Sequence, residues 1–176
     1  RSAFTFRFKR FKRKFIRANG LYKFKKLKGV KYIKTLNYRN KDVNLSVSYY
    51  VNDRMCMALT LDDKNDDYSE TITVNLGSDI GNNSFMQQYC AFLDTNNIRG
   101  IEKFIKDNKL GEPYIRFGDP VIMQSGFCKY PLYKFDVAKL KELDPSGVDE
   151  YNKEYKTAFT KKQNEVNQKI ENDFMF

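Results

Sequence analysis

The chain has no histidine and no tryptophan. Without imidazole, Ser-His-Asp triads, Cys-His dyads and paired-histidine ribonuclease chemistry are all excluded. Any catalysis has to run on carboxylates with a metal, on Tyr or Lys, or on groups borrowed from a partner. The 3 cysteines (Cys56, Cys90 and Cys128) are odd in number, widely spaced and outside any C-x-x-C pattern. That argues against a disulfide framework or a zinc site and points to a reducing, cytoplasmic compartment. No uninterrupted apolar run approaches the roughly 20 residues that span a bilayer, and the N-terminal stretch has charge but no apolar signal core. The chain opens on Arg1 rather than Met, so further native residues are expected ahead of it.

One absence is local. From Arg1 to Lys41 there is no Asp or Glu, against 16 Lys/Arg; the other 16 of the 32 basic residues share the remainder with all 22 acidic ones. The first quarter therefore carries +16 and the rest about −6. Such a split reads as a polyanion-binding arm on a near-neutral or acidic body, the alternative being a solvated basic face. A chain of 176 residues with 41% hydrophobic content fits one modest domain plus an appendage.

The arm admits two local readings. Phe4, Phe8, Phe11 and Phe15 fall at i, i+4, i+7 and i+11, a helical stripe. Phe4, Phe6 and Phe8 also alternate at period two, and Asn19-Gly20 is a strong hairpin signal because a type I′ turn needs positive φ at both central residues. A turn there opposes Phe15 to Phe24, with a bulge near Lys9-Arg10 absorbing the phase slip. The hairpin is favoured. On it Arg7, Lys9, Arg10, Lys12, Arg13, Lys14, Arg17, Lys23, Lys25, Lys26 and Lys28 would occupy both faces, leaving neither apolar enough to pack as core. With Phe8, Phe11 and Phe15 they are the candidate RNA-binding residues: cations grip phosphate and rings stack on unpaired bases. A membrane-surface segment, with Phe inserted and Lys/Arg on anionic lipid, is the competing reading.

Beyond the arm, strands are expected at Val30–Tyr38, Val43–Val51, Met55–Leu61 and Glu70–Leu76, the last with Ile72, Val74 and Leu76 inward. Their alternation and short turns make an antiparallel meander buried on one face. "FMQQYCAFLD" reads as helical or irregular, and "GIEKFIKDNKLG" as a short helix with Ile101, Phe104, Ile105 and Leu110 on one stripe and Gly111 at C′. "PYIRF" and "YPLYKFD" read as strands around the loop "GDPVIMQSG", and "VAKLKEL" as a brief helix stopped by Asp144-Pro145. Ser146 is a candidate N-cap for a long final helix, about residues 147–174, with Asp149 as its capping-box partner. Tyr151, Tyr155, Phe159, Val166, Ile170 and Phe174 give that helix a narrow apolar stripe that packs across the sheet and can overhang it. The expected class is α+β, with a basic arm at 1–36 and a single domain at 37–176.

Three small motifs read as structural. Asp62, Asp63, Asp66, Asp67 and Glu70 lack the ligand spacing of an EF-hand and suit a solvated hairpin loop. "DTNN" (Asp94–Asn97) is an Asx turn or cap. "QSGFC" resembles a nucleophile loop only superficially, since neither Ser125 nor Cys128 has a histidine base.

"CAFLDTNNIRGIEKFIKDNKLGEPYIRFGDP" and "QSGFCKYPLYKFDVAKLKEL" together carry a pattern of Asp-Thr-Asn-Asn, short helix, Gly-Glu-Pro, Ser-Gly-Phe-Cys and Tyr-Pro-Leu-Tyr over Cys90–Leu143. In this it resembles a small family of uncharacterised domains from phages, plasmids and conjugative elements; "DPVIM", between the Gly118 turn and Gln124, departs from the shorter loop of that pattern. With its basic hairpin in front, the whole chain is similar to type II-A anti-CRISPR proteins of the kind that cause guide-RNA truncation. The resemblance implies a structured RNA target, with guide RNA and a type II CRISPR effector nuclease as partners. It implies no particular catalytic residue. No resident cofactor is expected, and a divalent metal only if the chain itself cuts RNA. A non-enzymatic binder that blocks guide loading or a DNA channel is the alternative, and a peripheral membrane protein of a mobile element the third reading.

Overall fold

The computed structural model describes residues 34–50, 53–63, 69–76 and 87–173. The candidate RNA-binding residues from Arg7 to Lys28, and with them the proposed Asn19-Gly20 turn, lie outside these ranges.

Period-two alternation builds the first sheet. Strands β1 (Leu36–Tyr38), β2 (Lys41–Tyr50), β3 (Asp53–Asp63) and β4 (Ser69–Thr71) pair antiparallel in chain order. The register sets Leu36 opposite Val43, Leu45 opposite Leu61 and Val47 opposite Leu59. Val43, Leu45, Val47, Tyr49, Met57, Leu59 and Leu61 are all buried on one face. Burying one face is what fixes register, because a one-residue slip would expose every one of them.

The expected fourth strand is divided. Ile72 donates its N–H to Leu59 O at 2.9 Å in the first sheet and accepts from Asp94 N at 3.0 Å in the second. Strand β5 (Thr73–Val74) then pairs with β6 (Cys90–Leu93). The change of sheet flips the inward phase: Thr73 and Asn75 are buried, whereas Val74 and Leu76 are half-buried. Thr73 remains tied to the first sheet, its Oγ1 accepting from Leu59 N at 3.0 Å.

The stretch read as helical or irregular contains β6, the inner strand of the second sheet, whose order is β10-β11-β6-β5. Ala91 and Leu93 point into the main core, while Cys90 and Phe92 join Leu132 in a small cluster on the outer face. Both faces are covered, so the strand shows an unbroken apolar run rather than alternation. The expected loop "GDPVIMQSG" is also strand. β8 (Ile115–Arg116) and β9 (Asp119–Pro120) form one hairpin, and β10 (Ile122–Ser125) pairs with β11 (Cys128–Phe135) in another. β7 (Gly111–Pro113) shares an edge of β11 with β10.

Among the described residues three helices, α1 (Ile101–Asp107), α2 (Val137–Leu143) and α3 (Pro145–Asp173), complete the α+β fold. Ile101, Phe104, Ile105 and Leu110 enter the core as their spacing predicts. The left-handed C′ residue is Lys109 (φ 53°), not Gly111. Leu110 N donates to Ile105 O at 2.9 Å and Lys109 N to Lys106 O at 3.0 Å, the two bonds of a Schellman motif. Gly111 is needed for close approach instead, because a Cβ there would lie 2.6 Å from the Lys134 carbonyl.

The cap of α3 also moves. Asp144, only 1% exposed, accepts from Gly147 N at 2.9 Å and Ser146 Oγ at 3.1 Å, and from Val47 N of β2 at 2.9 Å. Asp144 is therefore the N-cap and Pro145 the first helical residue, where its missing N–H costs nothing. The same carboxylate ties the helix to the sheet. Val148 and Tyr151 are buried, Tyr155 is half-buried, and Phe159 and Ile170 are exposed. At 29 residues α3 is about 43 Å long, so its first turns pack on the sheet and the remainder runs beyond it.

Candidate functional site

The first described residue, Lys34, borders a cleft of about 280 Å³ between the root of β1, the end of α1 and α2. Lys109 and Lys139 add positive charge to its lining, and Asp107 and Glu142 add negative charge. Lys139 Nζ bonds Glu142 at 2.8 Å and holds its carboxyl below the usual value. The lining of the cleft is therefore of mixed sign.

A second feature was not anticipated. The β10–β11 hairpin of the second sheet and the separate two-stranded β8–β9 hairpin each close with a two-residue turn that presents a phenylalanine. In the β8–β9 turn, Phe117 (φ 54°) and Gly118 (φ 93°) both have positive φ, the type I′ geometry. Phe117 is 94% exposed, so no packing offsets a left-handed conformation that costs a side-chain-bearing residue about 1–2 kcal/mol. The Arg116 guanidinium lies 5.1 Å from the centre of its ring. In the β10–β11 turn, Gly126 (φ 61°) takes the strained position and Phe127 is fully exposed. Ile115 and Ile122 stand exposed on the strands behind these turns.

Both turns share one support. Tyr114 N donates to Leu132 O at 2.8 Å, Leu132 N to Val121 O at 2.8 Å and Val121 N to Tyr114 O at 2.9 Å. Beneath this network Tyr114, Val121, Met123 and Tyr130 pack on Cys90, Phe92 and Leu132. The signal in the sequence was an aromatic residue beside glycine, "FG" and "GF", within runs too short to read as strands.

The smaller motifs are structural. Asp94 accepts from Asn97 N at 3.2 Å, and Asn96 Nδ2 donates to Lys129 O at 3.0 Å, so the Asp-Thr-Asn-Asn loop is fastened to β11. Ser125 and Cys128 face each other across the β10–β11 turn. Asp62, buried, accepts from Ser46 Oγ at 3.2 Å, while residues 64–68 of the acidic loop are not among those described. Among the described residues no three Cys, Asp or Glu side chains gather to hold a metal ion, and no helix is long and apolar enough to cross a membrane.

Tyrosines fill the titratable part of the interior. Tyr133 donates to Glu102 Oε1 at 3.0 Å; burial, together with the glutamate's bond and charge, pushes its hydroxyl up to about 12. Burial likewise raises Tyr151 and Tyr89. Tyr89 stands edge-on to Tyr151 at 5.6 Å, and its hydroxyl bonds Asn152 Oδ1. These groups stay protonated at neutral pH; Tyr133 donates to α1 and Tyr89 to α3, while the Tyr151 hydroxyl accepts from Tyr89 N at 3.5 Å.

No curated protein and no solved structure matches the chain. A family match runs over residues 44–155, beginning in β2 and ending in α3, and so takes in β3 to β11, α1, α2 and the start of α3. The chain belongs to the DUF4313 family, a domain of unknown function.

Proposed function

We propose that this chain is an anti-CRISPR inhibitor of a type II RNA-guided nuclease. It acts in the bacterial cytoplasm by gripping guide RNA, or its complex with the nuclease, through the 1–36 arm and causing truncation of the guide. The observation that carries the reading is the charge split: 16 positive and no negative residues from Arg1 to Lys41, ahead of a body with the opposite balance. Polyanions are held by that density of cations, and interleaved Phe suits looped RNA. With no histidine, the cut falls either to groups of the nuclease assembly or to carboxylates, Tyr or Lys of this chain.

End-labelled guide RNA, incubated with the protein with and without the nuclease and with and without EDTA, tests this. Shortening only when the nuclease is present is the expected result. Intact RNA under every condition would overturn truncation and leave a blocking inhibitor. Charge reversal of Arg10, Arg13 and Lys14 to Glu should abolish RNA binding, and wild-type affinity should fall steeply with salt. An affinity indifferent to both changes would remove the arm from the mechanism.

A further inference from the structure

We infer that Phe117 and Phe127 form a second RNA contact on the body, a pair of platforms on which unpaired bases stack. This rests on the RNA-binding reading above and adds to it a site with a different chemistry.

Three observations carry it. Phe117 occupies the first central position of a type I′ turn, where Asn, Asp or Gly would be unstrained, and it gains no burial in return. Apart from the Arg116 guanidinium 5.1 Å from its centre, the fold gives no reason for a bulky ring there, and strain so little relieved points to function. Phe127 is likewise bare, at the second central position of the β10–β11 turn where Gly126 takes the positive φ, and the two hairpins meet at Leu132 of β11, whose N–H and carbonyl bond Val121 and Tyr114. The rings thus stand on rigid elements, as a stacking site requires. Finally, Arg116 already lies over Phe117, and arginine and aromatic planes are the two surfaces on which bases stack.

Asp119 lies opposite Arg116 in the hairpin, so the site has little net charge of its own. Its grip is through ring faces, with the apolar Ile115 and Ile122 beside them, and is therefore insensitive to salt. The arm supplies the salt-sensitive part. The two sites divide the RNA between them: phosphates at the arm, unpaired bases at the turns.

The full chain carrying Phe117→Asn and Phe127→Asn is the test, because Asn is well tolerated in tight turns, and its fold is checked by circular dichroism and urea midpoint. Binding is measured by fluorescence anisotropy to an oligouridine strand and to a fully paired RNA duplex of equal length, each at low and moderate salt. The Arg10→Glu/Arg13→Glu/Lys14→Glu variant runs alongside. The turn variant should bind oligouridine about tenfold more weakly per ring lost, by the same factor at both salt concentrations, with duplex binding unchanged. The arm variant should lose both RNAs. If the turn variant holds oligouridine as tightly as wild type while the arm variant does not, the inference falls and the RNA reading stands. If wild type binds neither RNA, both fall. A turn variant that keeps its RNA affinity but no longer binds purified, RNA-free nuclease would reassign the rings to a protein pocket and overturn the inference.

Discussion

The two sheets of this domain treat their apolar residues in opposite ways. In the first, strands of up to 11 residues put Val43, Leu45, Val47, Met57, Leu59 and Leu61 of one face into the core, where the helices cover them. In the second, strands of 2–4 residues surround β11, and this sheet and the β8–β9 hairpin beside it leave Ile115, Phe117, Ile122 and Phe127 in solvent. Two type I′ turns make the contrast local. Arg39-Asn40 and Phe117-Gly118 share a backbone conformation. Arg39 uses its side chain within the fold, bonding Arg99 O at 2.6 Å and lying 5.0 Å over the Tyr38 ring. Phe117, 94% exposed, meets the guanidinium of its chain neighbour Arg116 at 5.1 Å and is otherwise left to solvent. A strained residue employed by the fold is a structural device, and one left bare is a candidate for binding.

If the first sheet is the stable half, its connection to the helices is where damage is greatest. Asp144→Ala removes the acceptor shared by Val47 N, Gly147 N and Ser146 Oγ. Loss of a buried cap and of a charge-assisted bond to the sheet should cost about 3 kcal/mol of unfolding free energy, read as a lower urea midpoint. A cost under about 0.5 kcal/mol, the size of an ordinary surface change, would mean that helix and sheet hold together without it.

The second sheet meets α1 through Tyr133 and Glu102, and alkaline pH probes that contact. The folded-state hydroxyl sits at about 12 against an ordinary value of 10.0. A pKa raised on folding contributes stability that is complete below pH 10.0 and is lost as pH rises from there to about 12. Tyr151 and Tyr89 are shifted the same way. Urea midpoints measured from pH 7 to 11 should therefore hold level and then fall. In Tyr133→Phe the midpoint should start slightly lower at pH 7 and fall less steeply above pH 10. Parallel curves for the two proteins would show that Tyr133 ionises as freely in the folded state as in the unfolded.

The same difference between sheets decided what could be read from sequence. Alternation from Val43 to Leu61 was legible because each strand is long and only one face is buried. Cys90–Leu93 was not, since four residues buried on both faces carry no period. The inward phase at Ile72, Val74 and Leu76 failed where the chain leaves one sheet for the other, a tertiary event with no local signature. Ser146 looked like the cap of α3 because the buried partner of Asp144, Val47 N, is 97 residues away. The charge of the arm was plain in composition, whereas the exposed rings at Phe117 and Phe127 show only once the short strands around them are placed.

The two turns yield the smallest effect and the sharpest contrast, because the same substitution should act with opposite sign. Phe117→Asn replaces a strained, exposed ring by a residue that visits the left-handed region readily, and should stabilise the domain by about 0.5–1 kcal/mol. Arg39→Asn enters the same kind of position but removes the bond to Arg99 O and the contact over Tyr38, and should destabilise it by about 0.5 kcal/mol. Both are within reach of paired urea titrations. A stabilised Arg39→Asn would mean that its contacts are worth less than the backbone strain. A destabilised Phe117→Asn would mean that the ring supports the fold after all, and the structural reason for reading it as a binding residue would be gone.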